Sequence, residues 1–474
     1  MKRRNSVKTS EIISVITHLE KELSDWKYYN AIRGRSHVAV VYLLFLKFLS
    51  DIEVTQEKSI LVEMEERFNQ YSDFSNSIVH AFLSEKLLDD RENDSIIIKY
   101  SDEIHFEKMP MEFGDIIKEL SKFDFTIEDE KKEVVLALVM MFSALYGTTP
   151  LKDDIGQNDI SLIQSAAELL EVEDNMEIYD FSCGVGNLLA MSVKAGCKIY
   201  GEEDDIEKAV IASILLRMAG VKNPIIEVGD VLQNPMTVRY KEKLFDRIIS
   251  APPIKDKNIS AQKLVKMDYI DEFLFRDSFS ESGAWIYARH IIQKLSLNGK
   301  GILIAPISIL SREGVTKDDR TRLAKRESIE AIIQLPTGIT SSVIRLCLII
   351  LRKGHDDYRE NTKIFLVDLS SRKGNDYFKG KNNQALDHEK LTSIVSSKEE
   401  IDGISKMVSL HEMDNTEMNF TPAIYMRTIT EMVSQGENTE HMRVIHKQLL
   451  DQYYQTEKDL NLAISNYYKI KTDK

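Results

Sequence analysis

Four short stretches hold residues whose types and spacing could do chemistry. In D-F-S-C-G-V-G-N (180–187), Asp180 is followed by Gly184 and Gly186, whose missing side chains let backbone amides approach a ligand. Gly201-Glu202-Glu203 closes the next apolar run, where an acidic residue can hold the two ribose hydroxyls of an adenosine. Gly229-Asp230 closes the third, where a carboxylate could face an adenine amino group. Alone, each is weak: a G-x-G is also a plain tight turn, and a lone Glu203 is also a solvated charge. Together they suit successive parts of an adenosyl ligand. Leu189 stands where a dinucleotide fingerprint needs its third glycine, which disfavours NAD. The fourth stretch, F-D-R-I-I-S-A-P-P-I (245–254), contains the only Pro-Pro pair in the chain. A rigid turn lacking amide donors at the end of a buried strand is a place to hold something flat.

These stretches need a scaffold, and the hydrophobic pattern predicts one. Short apolar runs at 177–181, 198–203, 224–230, 245–250, 300–306, 328–336, 345–352 and 362–370 alternate with helical patterns such as Asp205 to Ala219 and Ala284 to Leu297. Such alternation predicts an α/β fold with a mostly parallel sheet and ligands at the carboxyl ends of its strands. The runs at 328–336 and 345–352 are close enough for a hairpin that makes one edge antiparallel. Residues 371–385 read as a polar loop. Before about 148 the chain is helical, with Ile12, Ile16, Leu19 and Leu23 on one face and a denser apolar helix from His37 to Ile52. A third helix is expected over Lys131 to Leu145, and another over Leu162 to Leu170. From about 428 a near-heptad stripe (Met442, Ile445, Leu449, Tyr453, Leu460, Ile464, Tyr467) fits either packing on its own domain or docking to a partner helix.

Composition narrows the class. A chain of 474 residues with 43% hydrophobic content should form two or three domains with real cores. A net charge of −14 argues against non-specific nucleic-acid binding over the whole surface, leaving room for a local basic channel. The three cysteines and ten histidines show no zinc-site spacing, so no metal is expected. M-K-R-R-N-S-V-K is not followed by the apolar stretch of a signal peptide, and no run is long enough for a bilayer; a soluble, cytoplasmic protein is expected.

Taken in order, these elements resemble the modification (M) subunits of type I restriction–modification systems, among the adenine-N6 DNA methyltransferases. Ile32-Arg33-Gly34 followed by F-L-K-F-L-S-D (45–51) is similar to the family's L-R-G and F-L-K-Y-I-S-D. Asp180 to Gly186 resembles D-P-A-C-G-x-G, Gly201-Glu202-Glu203 resembles G-Q-E, and Gly229 to Leu232 resembles G-D-x-L. A-W-I-Y-A-R-H-I-I-Q-K-L (284–295), I-E-A-I-I-Q-L-P-T-G (329–338) and N-F-T-P-A-I-Y (419–425, like N-L-x-P-x-R-Y) continue the match over nearly the whole chain. The resemblance implies a Rossmann-like methyltransferase domain over 149–400, between a helical domain at 1–148 and a helical tail at 401–474 for subunit docking. It implies S-adenosylmethionine as cofactor, with contacts at Asp180, Ser182, Gly184, Gly186, Glu203 and Asp230. DNA, a separate specificity subunit and a restriction subunit are the implied partners, with two copies in a hetero-oligomer.

The departures from the family are chemical. Its catalytic tetrapeptide, Asn/Asp-Pro-Pro-Tyr/Phe, accepts the N–H bonds of a flipped adenine and stacks an aromatic ring on the base. Here the positions are Ala251, Pro252, Pro253 and Ile254, so the frame is kept while the acceptor and the ring are replaced. Losing one preorganised polar group costs about 10²–10³ in rate, and losing the stacking about 1–3 kcal/mol. Ser250 has an oxygen, but strand alternation turns it away. Upstream, Gly156 to Ser161 has neither the aromatic residue nor the Thr-Pro of the family's G-x-F-(Y/F)-T-P, and the connection at 337–344 is shorter than usual. Three readings stay open: a catalytically silent relative serving assembly, DNA or nucleotide binding, or regulation in a phage-defence system; an active site-specific adenine-N6 methyltransferase; and methyl transfer to a different acceptor that needs neither the Asn nor the aromatic.

Overall fold

The computed structural model describes residues 9–24, 36–52, 79–80, 83–84, 87, 95–104, 113–145, 160–231, 243–252 and 283–426, with short breaks at 338, 340–343, 356, 360, 372 and 380–384. Pro253, Ile254, the Ile32-Arg33-Gly34 element, residues 156–159 and the stripe beyond 428 lie outside the described residues. Met1–Tyr425 form one unit and Met426–Lys474 another.

The first unit is built on a nine-stranded sheet: β1 (Glu177–Asp180), β2 (Lys198–Glu203), β3 (Ile225–Val228), β4 (Phe245–Ser250), β5 (Leu295–Pro306), β6 (Ile329–Gln334), β7 (Leu346–Arg352), β8 (Lys363–Asp368) and β11 (Ser405–Ser409). Their order is β11-β8-β6-β7-β5-β4-β1-β2-β3. The Rossmann-like, mostly parallel sheet expected from sequence is therefore present. The β6–β7 hairpin is antiparallel as expected, but β7 lies inside the sheet between β5 and β6; the outer edge is antiparallel too, through β8 and β11. The sheet thus runs beyond residue 400. Strand β5 starts at Leu295, which pairs with Phe245, so the preceding helix ends three residues short of the expected Leu297. Within 371–385, Phe378–Lys379 (β9) pairs with Ala385–Leu386 (β10) across a short ladder.

Strand alternation sorts the two faces. Ile178, Ile249, Ile302 and Phe365 join one core with helices α1 (Thr9–Ser24), α2 (Ser36–Ile52), α5 (Glu128–Leu145), α6 (Ile160–Leu169), α7 (Asn187–Ser192) and α8 (Ile206–Met218). On the opposite face Tyr179 stacks on Phe245 at 4.6 Å and meets His290 of helix α9 (Gly283–Lys294) edge-on at 5.8 Å. The N-terminal helices, including α3 (Ser95–Ser101) and α4 (Phe113–Leu120), are no separate body: α2 and α3 pack directly on α8. That contact explains why α8 buries residues all round its circumference, from Ala209 to Met218. The F-L-K-F-L-S-D motif is structural in this setting. Asp51 pairs with Lys47 one turn back on α2 and accepts the Phe125 amide at 3.0 Å, while Phe48 packs edge-on against Phe125. No described helix is long and apolar enough to cross a membrane.

Candidate functional site

The strand order reverses between β1 and β4, and ligands of doubly wound sheets sit at the carboxyl side of such a switch point. Hydrogen bonds join Asp180 to the Ser182 amide and Gly184 to Glu203 there; Ala251 and Pro252 follow β4, Asp230 follows the edge strand β3, and Pro253 and Ile254 lie outside the described residues. The turn after β1 runs from Phe181 to Gly186, with left-handed backbone at Gly184 (φ 57°) and Gly186 (φ 85°). At Gly184 an added Cβ would meet no described residue within 4 Å, whereas at Gly186 it would meet Ala212 of α8 at 3.1 Å. The first glycine faces open space among the described residues; the second allows the close approach of the loop to α8.

The two glutamates ending β2 take opposite faces. Glu202 is buried on the α9 side, bonded to the Tyr179 hydroxyl, which also lies 3.1 Å from His290 Nε2. Glu203 reaches the glycine loop: one carboxylate oxygen accepts the Gly184 amide at 2.9 Å, the other the Asp205 amide at 3.1 Å. Lys208 Nζ stands 3.9 Å from it. Burial pushes the Glu203 carboxyl up to about 7 although Lys208 pulls the other way. Asp230 follows β3, half-buried, beyond Gly229, whose amide donates to the Glu203 carbonyl at 2.9 Å.

Asp180 is buried and works inward. Its Oδ1 accepts the Ser182 amide at 2.9 Å and the Ser250 hydroxyl at 2.7 Å. Burial raises its carboxyl to about 7 against both of these bonds. Ser250 Oγ also lies 2.7 Å from Ser182 Oγ. Sequence reasoning expected Ser250 to turn away; its hydroxyl is instead committed to the β1 turn. Ala251 is 8% exposed and joins the core on the α7–α8 face. The bond of Ser250 to Asp180 and the joining of Tyr179, Glu202 and His290 are the site contacts that sequence reading missed. A polar residue closing an apolar run was the only local sign of either.

At the far end of the sheet, N-F-T-P-A-I-Y is sewn to its neighbours. The Phe420 amide donates to the Leu310 carbonyl at 2.9 Å, and the Ala423 amide to Gln334 Oε1 at 3.3 Å. Arg320, on α10 (Val315–Lys325), donates to the Met418 carbonyl at 2.6 Å and lies over the Phe420 ring.

Residues 159–433, more than half of the chain, match the family described as N-6 DNA methylase. The chain belongs to that family. Among N-6 DNA methylase relatives, it is 22% identical over 470 residues to the type I restriction enzyme MjaVIII methylase subunit of Methanocaldococcus jannaschii, covering 87% of this chain and 79% of the relative. It is 23% identical to the MpnII methylase subunit of Mycoplasma pneumoniae, over 66% of this chain and 59% of the relative. The methyltransferase subunit of a type I restriction-modification system from Streptococcus thermophilus shares its fold, with a TM-score of 0.64, 16% identity, and coverage of 88% of this chain and 99% of that one. A modification subunit from Vibrio vulnificus does likewise, with a TM-score of 0.66, 13% identity, and coverage of 92% and 100%. Ile424 of N-F-T-P-A-I-Y is 36% exposed.

Proposed function

We propose that this chain is a type I methylase-subunit relative that binds an adenosyl ligand and serves a DNA-modification or defence assembly without transferring a methyl group to adenine N6. The observation behind this reading is the end of β4. Ala251 offers a buried methyl group where the family's reaction needs an acceptor, and the adjacent Ser250 hydroxyl is held by Asp180 and Ser182. Among the described residues of that turn there is no side-chain acceptor left to localise the lone pair of an adenine amine.

The cradle for the ligand is more complete than the catalytic turn. Open space over Gly184 and the aim of Glu203 at the loop fit S-adenosylmethionine, whose bound form supplies an electrophilic methyl. Gly184, Gly186 and Glu203 would hold the adenosyl part, with Asp230 beside the adenine; Asp180 and Ser182 would shape the loop. An ionised carboxylate has more acceptor sites than the two amides use, so Glu203 can also accept a ribose hydroxyl. The partners of this reading are DNA and a separate specificity subunit, with the near-heptad tail from about 428 as the docking segment, in the cytoplasm; the relatives named as type I methylase subunits support it.

Calorimetry with S-adenosylmethionine, paired with adenine-methylation assays on the wild type and Ala251→Asn/Ile254→Phe in the presence of the specificity subunit, tests the proposal. Binding without methylation by the wild type is the expected result. Robust adenine methylation by the wild type would refute it and favour the active enzyme.

A further inference from the structure

Two helices begin where the candidate ligand site ends. Helix α7 starts at Asn187, directly after Gly186, and α8 starts at Ile206, three residues after Glu203. Both are gripped in their first turn from the N-terminal helices. Tyr100 of α3 donates its hydroxyl to Glu207 Oε2 at 2.9 Å, and His37 Nε2 of α2 lies 3.5 Å from Glu207 Oε1. Asn187 Nδ2 donates to Ser143 Oγ of α5 across 3.4 Å. From Glu207 the hydrogen bonds continue to the site. Asp205, the N-cap of α8, accepts the Glu207 amide at 2.9 Å and the Lys208 amide at 3.3 Å, and gives its own amide to Glu203 at 3.1 Å. Glu203 in turn accepts the Gly184 amide at 2.9 Å.

We infer that the N-terminal helices set the geometry of the adenosyl site through the first turn of α8, with Tyr100 as a positioning residue acting on Glu207. Adenosyl-ligand binding at Glu203 and the docking of α3 are then thermodynamically linked; this rests on Glu203 being the ligand-holding carboxylate. Apolar packing already attaches α2 and α3 to α8, with Val38, Ile97 and Leu215 among the buried residues. The polar contacts sit at the one end of α8 that adjoins the site, where they fix the angle of its first turn. A shift there moves Asp205, and Asp205 holds a Glu203 oxygen. Linkage is reciprocal, so a ligand that fixes Glu203 must also favour the docked α3.

The test uses the full chain, with S-adenosylmethionine and S-adenosylhomocysteine as probes. Calorimetry on the wild type, Tyr100→Phe, Glu207→Gln and Glu207→Ala is combined with hydrogen exchange of residues 95–101 with and without ligand. Expected are a loss of about fivefold in affinity for Tyr100→Phe, a loss at least as large for Glu207→Ala, and a smaller one for Glu207→Gln, which keeps an acceptor for Tyr100. Slower exchange in α3 on adding ligand to the wild type is expected as well, and that measurement stands even if a variant fails to fold. Wild-type binding that leaves α3 exchange unchanged, or that Tyr100→Phe and Glu207→Ala do not weaken, overturns the linkage alone. No binding by the wild type overturns the reading of the site and the linkage with it.

Discussion

The Ser250 hydroxyl lies 2.7 Å from Asp180 Oδ1, joining the end of β4 to the end of β1 across the crevice where the sheet changes order. The bond ties the start of the glycine turn to the end of β4. Ser250→Ala should leave Asp180 with the Ser182 amide as its main partner and destabilise the fold by about 1–3 kcal/mol. Denaturant unfolding of the two proteins measures it. The same variant should weaken adenosyl-ligand binding by loosening the β1 turn, read by calorimetry.

The raised carboxyls give stability a pH dependence of definite sign. Asp180 holds its proton up to about 7 in the fold, against an ordinary value of 3.8. Its contribution is fully present below the ordinary value and is lost as pH rises through about 7. Unfolding free energies at about pH 5 and about pH 7 should show the wild type losing more stability over that interval than Asp180→Asn. An equal loss would exclude Asp180 as the source.

Ligand binding should follow the opposite sense, because a ribose hydroxyl donates best to an ionised Glu203. With that carboxyl raised to about 7, affinity for S-adenosylmethionine should rise with pH and level off above it. Below that value it should fall about tenfold per unit. Glu203→Gln should bind weakly and show a flat profile; calorimetry across the interval decides.

The two glycines of the loop should respond differently to alanine. At Gly186 the methyl meets Ala212 at 3.1 Å on a left-handed backbone, so Gly186→Ala should destabilise the fold. About 1–3 kcal/mol is expected from the strain. At Gly184 (φ 57°) the methyl meets no described residue within 4 Å, so Gly184→Ala carries the left-handed backbone cost without the clash; it should destabilise less than Gly186→Ala and lose ligand affinity as well. Thermal melts with and without ligand separate the two effects.

Behind the sheet, Arg289 of α9 and Asp319 of α10 form an ion pair with both side chains fully buried. Burial, with Arg322 adding to it, lowers the Arg289 guanidinium to about 10. Asp319→Ala strands that charge and should cost about 3–5 kcal/mol. Replacing both residues by apolar ones of similar volume should cost far less, as denaturant midpoints would show.

Local patterning made much of this fold readable. Alternating apolar runs gave β1 to β8, and Asp205 announced the start of α8, which it caps in the structure. Asp180, the two glycines and Glu203 could be placed at strand ends because strand length and helix onset are written in neighbouring residues. Contacts between distant residues were not readable. Ser250 and Asp180 are 70 positions apart, and Tyr100 and Glu207 are 107 apart. The place of β7 inside the sheet is equally non-local, since a hairpin does not reveal which side its second strand will pair on next. F-L-K-F-L-S-D could be matched as a string, but its work, holding the Phe125 amide, depends on a turn some seventy residues away.

Ala251 packs its methyl into the core shared with α7 and α8. An asparagine there would have to bring a polar amide into apolar surroundings or push the turn outward to find partners. Removing the acceptor and restoring it are therefore unequal steps. An alanine is absorbed by the apolar packing at this position, whereas an asparagine needs a polar partner there. On the reading proposed above, Ala251→Asn alone would then meet packing that offers its amide no partner, which is why the paired substitution with Ile254→Phe is the sharper test.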